Sequence, residues 1–139
     1  MKINTVVLTY DKPLYNMLDL IRRTYYKSIN EPFTFVYNGT DLSKNNLTNN
    51  EINYYSTVKQ HAGIPAMFYK FIDIIERNML TEYDFVIRTN SSTFLNMPVL
   101  KKILSTLNPQ DDVWAGFYAP DWHFISGSCI IFSQSTLKN

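Results

Sequence analysis

The residue types able to do chemistry gather in three short polar segments: Thr9-Tyr10-Asp11, Asn38-Gly39-Thr40-Asp41 and Thr89-Asn90-Ser91-Ser92-Thr93. Each follows an apolar run that reads as a strand. Each therefore stands at a strand's carboxyl end, where open α/β sheets bind their ligands. Together they offer hydroxyls, amides and two carboxylates, with Arg88 just ahead of the third segment and Lys70 on a nearby helix. Local chemistry supplies a second reading of each. Asp11 is a good helix N-cap, Asn38 and Asp41 are turn formers, and Asn90-Ser91-Ser92 suit the approach to a helix. Lys70 is either a ligand contact or a surface lysine whose stem covers apolar neighbours. A fourth group, Asp121-Trp122-His123, lies between the last two strands. His123 is its acid/base type and Asp121 a base by type. Against this stand a structural or acceptor-stacking role for Trp122-His123 and a merely solvated Asp121. Asp111-Asp112 opens a strand at the wrong edge of the sheet and reads as a turn. Cys129, in an apolar strand, reads as a buried small hydrophobe.

Several site types are missing. The sequence has no Gly-x-Gly-x-x-Gly fingerprint and no phosphate-binding P-loop. Ser126-Gly127-Ser128 comes nearest to a nucleophile elbow, but it lies in mid-strand without a following helix.

The elements that must carry these residues alternate in type. Asn4–Tyr10 reads as a buried strand. Residues 12–25 read as an amphipathic helix with Leu14, Met17, Leu18, Ile21 and Tyr25 on its apolar face. Phe33–Tyr37 is a second strand. The Asn-rich stretch Thr40–Asn53 has no period and reads as a loop with room for a helical turn, before a short strand at Tyr54–Val58. His61-Ala62-Gly63 breaks the pattern, and Pro65 opens the strongest helix, with Phe68, Phe71, Ile72, Ile75 and Met79 on one face. Tyr83–Thr89 is a strand. Asn96 caps a helix that buries Leu100, Ile103, Leu104 and Leu107 and turns Lys101-Lys102 outward. Val113–Tyr118 and Phe124–Ser133 are strands joined too tightly for a helical crossover, so one of them runs antiparallel. The expected class is α/β with a mostly parallel mixed sheet.

Bulk properties narrow the function. The 139 residues form one expected domain, 1–139. A hydrophobic content of 45% fits a globular chain, and a net charge of +1 gives no basic field for nucleic acid. One cysteine and two histidines exclude a disulfide scaffold and a multi-cysteine zinc site. No run is apolar enough to span a membrane and no secretory signal is evident, so the expected location is the cytoplasm.

At Arg88–Met97 the sequence Arg-Thr-Asn-Ser-Ser-Thr-Phe-Leu-Asn-Met resembles the strand-end segment of GT-A glycosyltransferases. It is most similar to the β-1,3-galactosyltransferase-like group, whose segment reads Lys-Thr-Asp-Asp-Asp-Thr-Phe-Val-Asn-Leu. Glu82–Ile87 upstream resembles that group's Tyr-Asp-Phe-Val-Leu strand, and Phe124–Ser133 downstream resembles its Cys-Ser-Gly-Gly-Gly-Tyr-Val-Leu-Ser strand. Order and spacing agree over residues 65–137. The resemblance implies a GT-A-like three-layer sandwich, here without the acceptor region that usually follows the last strand. It implies transfer of a sugar from a nucleotide-diphosphate donor, a uridine diphosphate sugar, to a hydroxyl of a glycan or other acceptor in carbohydrate biosynthesis. In that group the loop after the first strand touches base and ribose, which implies contacts from Tyr10 and Asp11, with Tyr10 stacking on the base. Their place at strand ends or beside them makes Thr9, Asn38, Asp41, Lys70, Arg88, Asn90, Ser91 and Ser92 the other donor-contact candidates, and residue type makes Asp121 and His123 the candidates for catalysis.

This chain departs from the group at the acidic triplet, which holds a divalent metal there. Asn90, Ser91 and Ser92 carry no charge, and hard cations need carboxylate or other oxygen ligands. Mn²⁺ or Mg²⁺ is therefore not expected to bind tightly. Hydrogen bonds from these residues, with Arg88 or Lys70 nearby, would hold a diphosphate instead. Two other readings stand beside this one. The chain is alternatively a non-catalytic, degenerate sugar-nucleotide-binding module of a larger assembly, or an unrelated doubly wound α/β domain.

Overall fold

The computed structural model describes residues 1–10, 12–38, 46–47, 51–56, 64–122 and 124–139. Its strands are β1 (Ile3–Leu8), β2 (Phe33–Asn38), β3 (Asn46–Leu47), β4 (Glu51–Ser56), β5 (Phe85–Asn90), β6 (Trp114–Ala119) and β7 (Phe124–Ser133). Its helices are α1 (Pro13–Ser28), α2 (Ile64–Glu76), α3 (Met97–Leu104) and α4 (Gln134–Lys138).

The strands form one seven-stranded sheet in the order β3-β4-β2-β1-β5-β7-β6. β1 pairs in parallel with β2 and β5, and β2 pairs in parallel with β4. β3 runs antiparallel to β4, and β7 runs antiparallel to both β5 and β6. The α/β class, the mixed sheet and the antiparallel pairing of the last two strands are as the sequence leads one to expect.

Alternation along β1 divides the core. Val7 faces one way and packs with Phe35, Ile87, Tyr26 of α1, and Met97 and Leu104 of α3. Val6 and Leu8 face the other way and pack with Val36, Val86, and Phe71 and Ile74 of α2. Helices thus cover both faces of the sheet, and each fully buried aliphatic or Phe side chain contributes about 1.5–3 kcal/mol.

Several elements differ from the sequence reading. The N-cap of α1 is Lys12, in extended conformation and without a side-chain cap bond, and not Asp11, which lies outside the described residues. The apolar face read from α1 is not the buried one. Leu14, Met17 and Ile21 are exposed, while Asp19 and Tyr26 are buried. The helix is turned by what the sheet asks of it. Tyr26 stacks on Phe33 at 5.6 Å, and Asp19 answers two hydroxyls at the strand ends.

The Asn-rich stretch read as a loop contains β3 and the start of β4. These strands lie toward an edge of the sheet, where polar side chains are tolerated and apolar alternation is weak. The expected break at His61-Ala62-Gly63 lies outside the described residues. In α2 Phe68 is exposed and Lys70 is buried, the reverse of the expected pattern. In α3 Asn96 does cap, accepting the Val99 amide at 3.3 Å, but Ile103 is exposed. Cys129 is half-buried and packs against the α1–α3 core. Asp111 closes a turn with Asn108, as expected. α4 was not evident in sequence; Ser133 caps it by accepting the Thr136 amide at 3.3 Å. No described helix is long and apolar enough to cross a membrane.

Candidate functional site

The sheet order creates one crevice. From β1 the chain passes through α1 on one face to β2, whereas β5, on the other side of β1, follows α2 on the opposite face. Connections therefore diverge above the carboxyl ends of β1 and β5, the place where open α/β sheets bind ligands. Leu8 lies opposite Asn90 in this register, which brings Tyr10 next to the turn that follows β5.

A pocket of about 840 Å³ opens there on the α2 side. That volume suits a ligand of several rings. Its polar end is formed by Tyr10, Lys12, Arg88 and Asn90. Its apolar wall comes from Met67, Phe68 and Phe71 of α2, and from Trp114, Ile130 and Phe132 of β6 and β7.

Arg88 is the central cation. Val6, its register partner on β1, belongs to the α2-side core, so Arg88 projects on that face into the pocket. Nη1 donates to the Gly127 carbonyl at 2.8 Å. Burial pushes the guanidinium pKa down from its ordinary value. No acid among the described residues pairs with it. Gly127 is a glycine because the guanidinium lies on it: a Cβ there would stand 2.2 Å from Nη1. A glycine inside a strand often marks such a close approach, and this was the legible signal in Ser126-Gly127-Ser128.

Beneath the pocket the end of β1 is held from both faces. The Thr9 hydroxyl donates to Asp19 Oδ2 at 2.7 Å, and Ser91 Oγ donates to Asp19 Oδ1 at 2.6 Å. On the opposite face Lys70 Nζ donates to the Thr9 carbonyl at 2.5 Å and lies 3.9 Å from the centre of the Tyr10 ring. Tyr10 also packs on Tyr15, at 5.2 Å between ring centres. Asp19 is fully buried, and burial raises its pKa, opposed by the Ser91 and Thr9 hydrogen bonds and by Arg23. Lys70 is 2% exposed. Burial lowers its pKa to about 8, with Asp19 opposing the shift and Arg88 adding to it. Lys70 is therefore not a snorkelling surface lysine.

The chain matches no protein-family model and no curated protein sequence.

The structure brings Tyr10, Arg88 and Asn90 together in the pocket wall. Thr9, Ser91 and Lys70 lie just beneath, all buried. Ser92 is exposed at the turn, where its hydroxyl donates to Asn90 Oδ1 at 3.2 Å; Thr93 donates to the same oxygen at 2.6 Å. Asn38 ends β2, on the far side of β1 from β5. Asp121 is exposed in a 3-10 turn and does not line the pocket. Asp11, Asp41 and His123 lie outside the described residues.

The Asn90–Ser92 turn does not fit a divalent cation. Asn90 Oδ1 already accepts two hydroxyls and Ser91 Oγ is committed to Asp19. Among the described residues no three His, Cys, Asp or Glu side chains converge. The sequence reading missed Lys12, Tyr15, Asp19 and the whole aromatic wall. Asp19 had one faint signal: Tyr15, Asp19 and Tyr26 form a second stripe at spacings of four and seven.

Proposed function

We propose that this chain is the nucleotide-sugar-binding domain of a GT-A-like glycosyltransferase that takes its donor, a uridine diphosphate sugar, without a metal ion. The observation that carries the reading is Arg88, a half-buried cation in a pocket at the sheet's switch point, with no acid partner among the described residues. Burying a cation without a counter-charge is unfavourable. An anionic ligand relieves that cost, and a guanidinium matches phosphate oxygens in a bidentate fashion.

The remaining wall supports the same ligand. Tyr10 offers a ring to a base, and the Asn90 side-chain amide and the Lys12 ammonium, both in the pocket lining, offer donors to a diphosphate. The apolar wall of Phe68, Phe71 and Trp114 suits a sugar's C–H face. In the transfer step Arg88 would stabilise negative charge growing on the leaving diphosphate. For acceptor deprotonation Asp121 and His123 are the candidates by type.

One observation favours a second reading, a binding module without catalysis. Among the described residues that line the pocket none is an Asp, Glu or His, so these residues include no base for an acceptor hydroxyl.

The test is calorimetry with a panel of nucleotide sugars, each with Mn²⁺ and with EDTA. We expect one uridine diphosphate sugar to bind equally well in both, and Arg88→Ala to weaken it about ten-fold or more. Binding that vanishes in EDTA overturns metal independence, and no binding by any donor removes the donor-site reading. Donor hydrolysis or transfer by a chain that binds separates the enzyme from the module.

A further inference from the structure

We infer that the outer face of the α1–α3 layer is a docking surface for an anionic lipid bilayer. Two independent features of this face carry the inference, one apolar and one electrostatic.

The apolar feature is α1 itself. Leu14, Met17, Leu20 and Ile21 are 53–61% exposed, on the side of the helix turned away from the sheet. α3 packs into the same core cluster as α1 and so turns its own outer side the same way; there Val99 and Ile103 are exposed. Six large apolar side chains thus stand on one side of the molecule, beyond the scattered exposure usual for a surface.

The electrostatic feature is the charge between and around them. Residues 13–32 and 91–110 carry five cations: Arg22, Arg23, Lys27, Lys101 and Lys102. They carry only two acids, Asp19 and Glu31, a surplus of three positive charges. Both acids are buried, Asp19 beneath the strand ends and Glu31 against Lys101. The face therefore presents apolar side chains ringed by Lys, with no exposed carboxylate among its described residues. The acids of the described chain lie elsewhere, such as Asp73, Glu76, Glu82 and Asp84 in and after α2.

This combination selects the partner. A second copy of the chain would bring a basic face against a basic face. A bilayer with anionic headgroups accepts both features at once: the apolar side chains enter the acyl boundary while the lysines meet headgroup charge. Pro13 at the start of α1 and the buried anchors Asp19 and Tyr26 fix the helix parallel to that surface rather than leaving it free to fray.

The experiment is flotation of the 139-residue chain with phosphatidylcholine vesicles, with and without about 30% phosphatidylserine. We expect at least about ten-fold stronger partition into the anionic vesicles, lost in about 1 M salt. Met17→Ser combined with Ile21→Ser should reduce partition about ten-fold while circular dichroism stays unchanged. Phe117→Ser, at an equally exposed position on β6, should leave it unaltered. No partition of the wild-type chain, or equal loss from Phe117→Ser, overturns the inference. So does light scattering that shows a dimer dispersed by the α1 double variant, since a second copy would then cover the face.

Discussion

Gly127→Ala tests the centre of the site without touching the groups proposed to bind. The new Cβ would lie 2.2 Å from Arg88 Nη1, 3.3 Å from Cζ and 3.5 Å from Nη2. An ordinary contact needs well over 3 Å, so the guanidinium must shift by about 1 Å or more. That shift breaks the 2.8 Å bond to the Gly127 carbonyl. A hydrogen bond made by a charged group contributes about 1.5–3 kcal/mol. Arg88 is flexible and can recover part of this, so we expect a loss of about 1–2 kcal/mol in urea unfolding. The decisive assay is a double-mutant cycle. In an Arg88→Ala background nothing stands where the Cβ would go, and Gly127→Ala should cost less than about 0.5 kcal/mol. An interaction energy of at least about 1 kcal/mol is therefore expected. Equal costs in both backgrounds would refute the claim that Arg88 dictates glycine at this position.

Other outcomes follow from the same geometry. Tyr26 is fully buried and its hydroxyl has no hydrogen-bond partner among the described residues, so Tyr26→Phe should be neutral or stabilising by up to about 1 kcal/mol in urea unfolding. Asp19→Ala orphans the buried Thr9 and Ser91 hydroxyls and should cost about 3 kcal/mol, with Asp19→Asn costing clearly less. Stability should rise with pH above about 8, the folded pKa of Lys70. That pKa lies below its ordinary value, so between the two the unfolded chain binds the extra proton and stability climbs by about 2 kcal/mol. Near pH 10 buried Tyr26 and Tyr83, whose pKa values are raised, begin to act in the opposite sense. Lys70→Met should abolish the rise, and a rise that persists in this variant would assign it to another group.

Much of the scaffold was legible because its signals are local. The short apolar runs of β1 and β5 are buried strands, Asn96 and Pro98 do open α3, and the tight link between β6 and β7 does force an antiparallel pair. That Arg88, Tyr10 and Asn90 come together in one pocket wall was legible because strand ends are where such sheets gather polar groups. The orientation of α1 was not. Its most apolar stripe points outward, since the two hydroxyls above the sheet claim Asp19, and neither hydroxyl is near Asp19 in sequence. Lys70 misled for the same reason: its partner, the Thr9 carbonyl, is 61 residues away. The aromatic wall needs three elements to meet, and no window of sequence contains them.

The sheet ends at β6, an open edge that exposes Trp114, Phe117 and Tyr118. A straight strand with that composition would be a growth point, recruiting other chains through its free amides and carbonyls. Its pairing with β7 slips between Gly116 and Tyr118. The extra length lies in β7: Gly116 pairs with Ile130 and Tyr118 with Ile125, so two steps along β6 span five along β7. A bulge adds twist to the pair that holds it, and twist turns an edge away from a flat incoming strand. An irregularity in the inner strand thus blunts the edge that its neighbour presents.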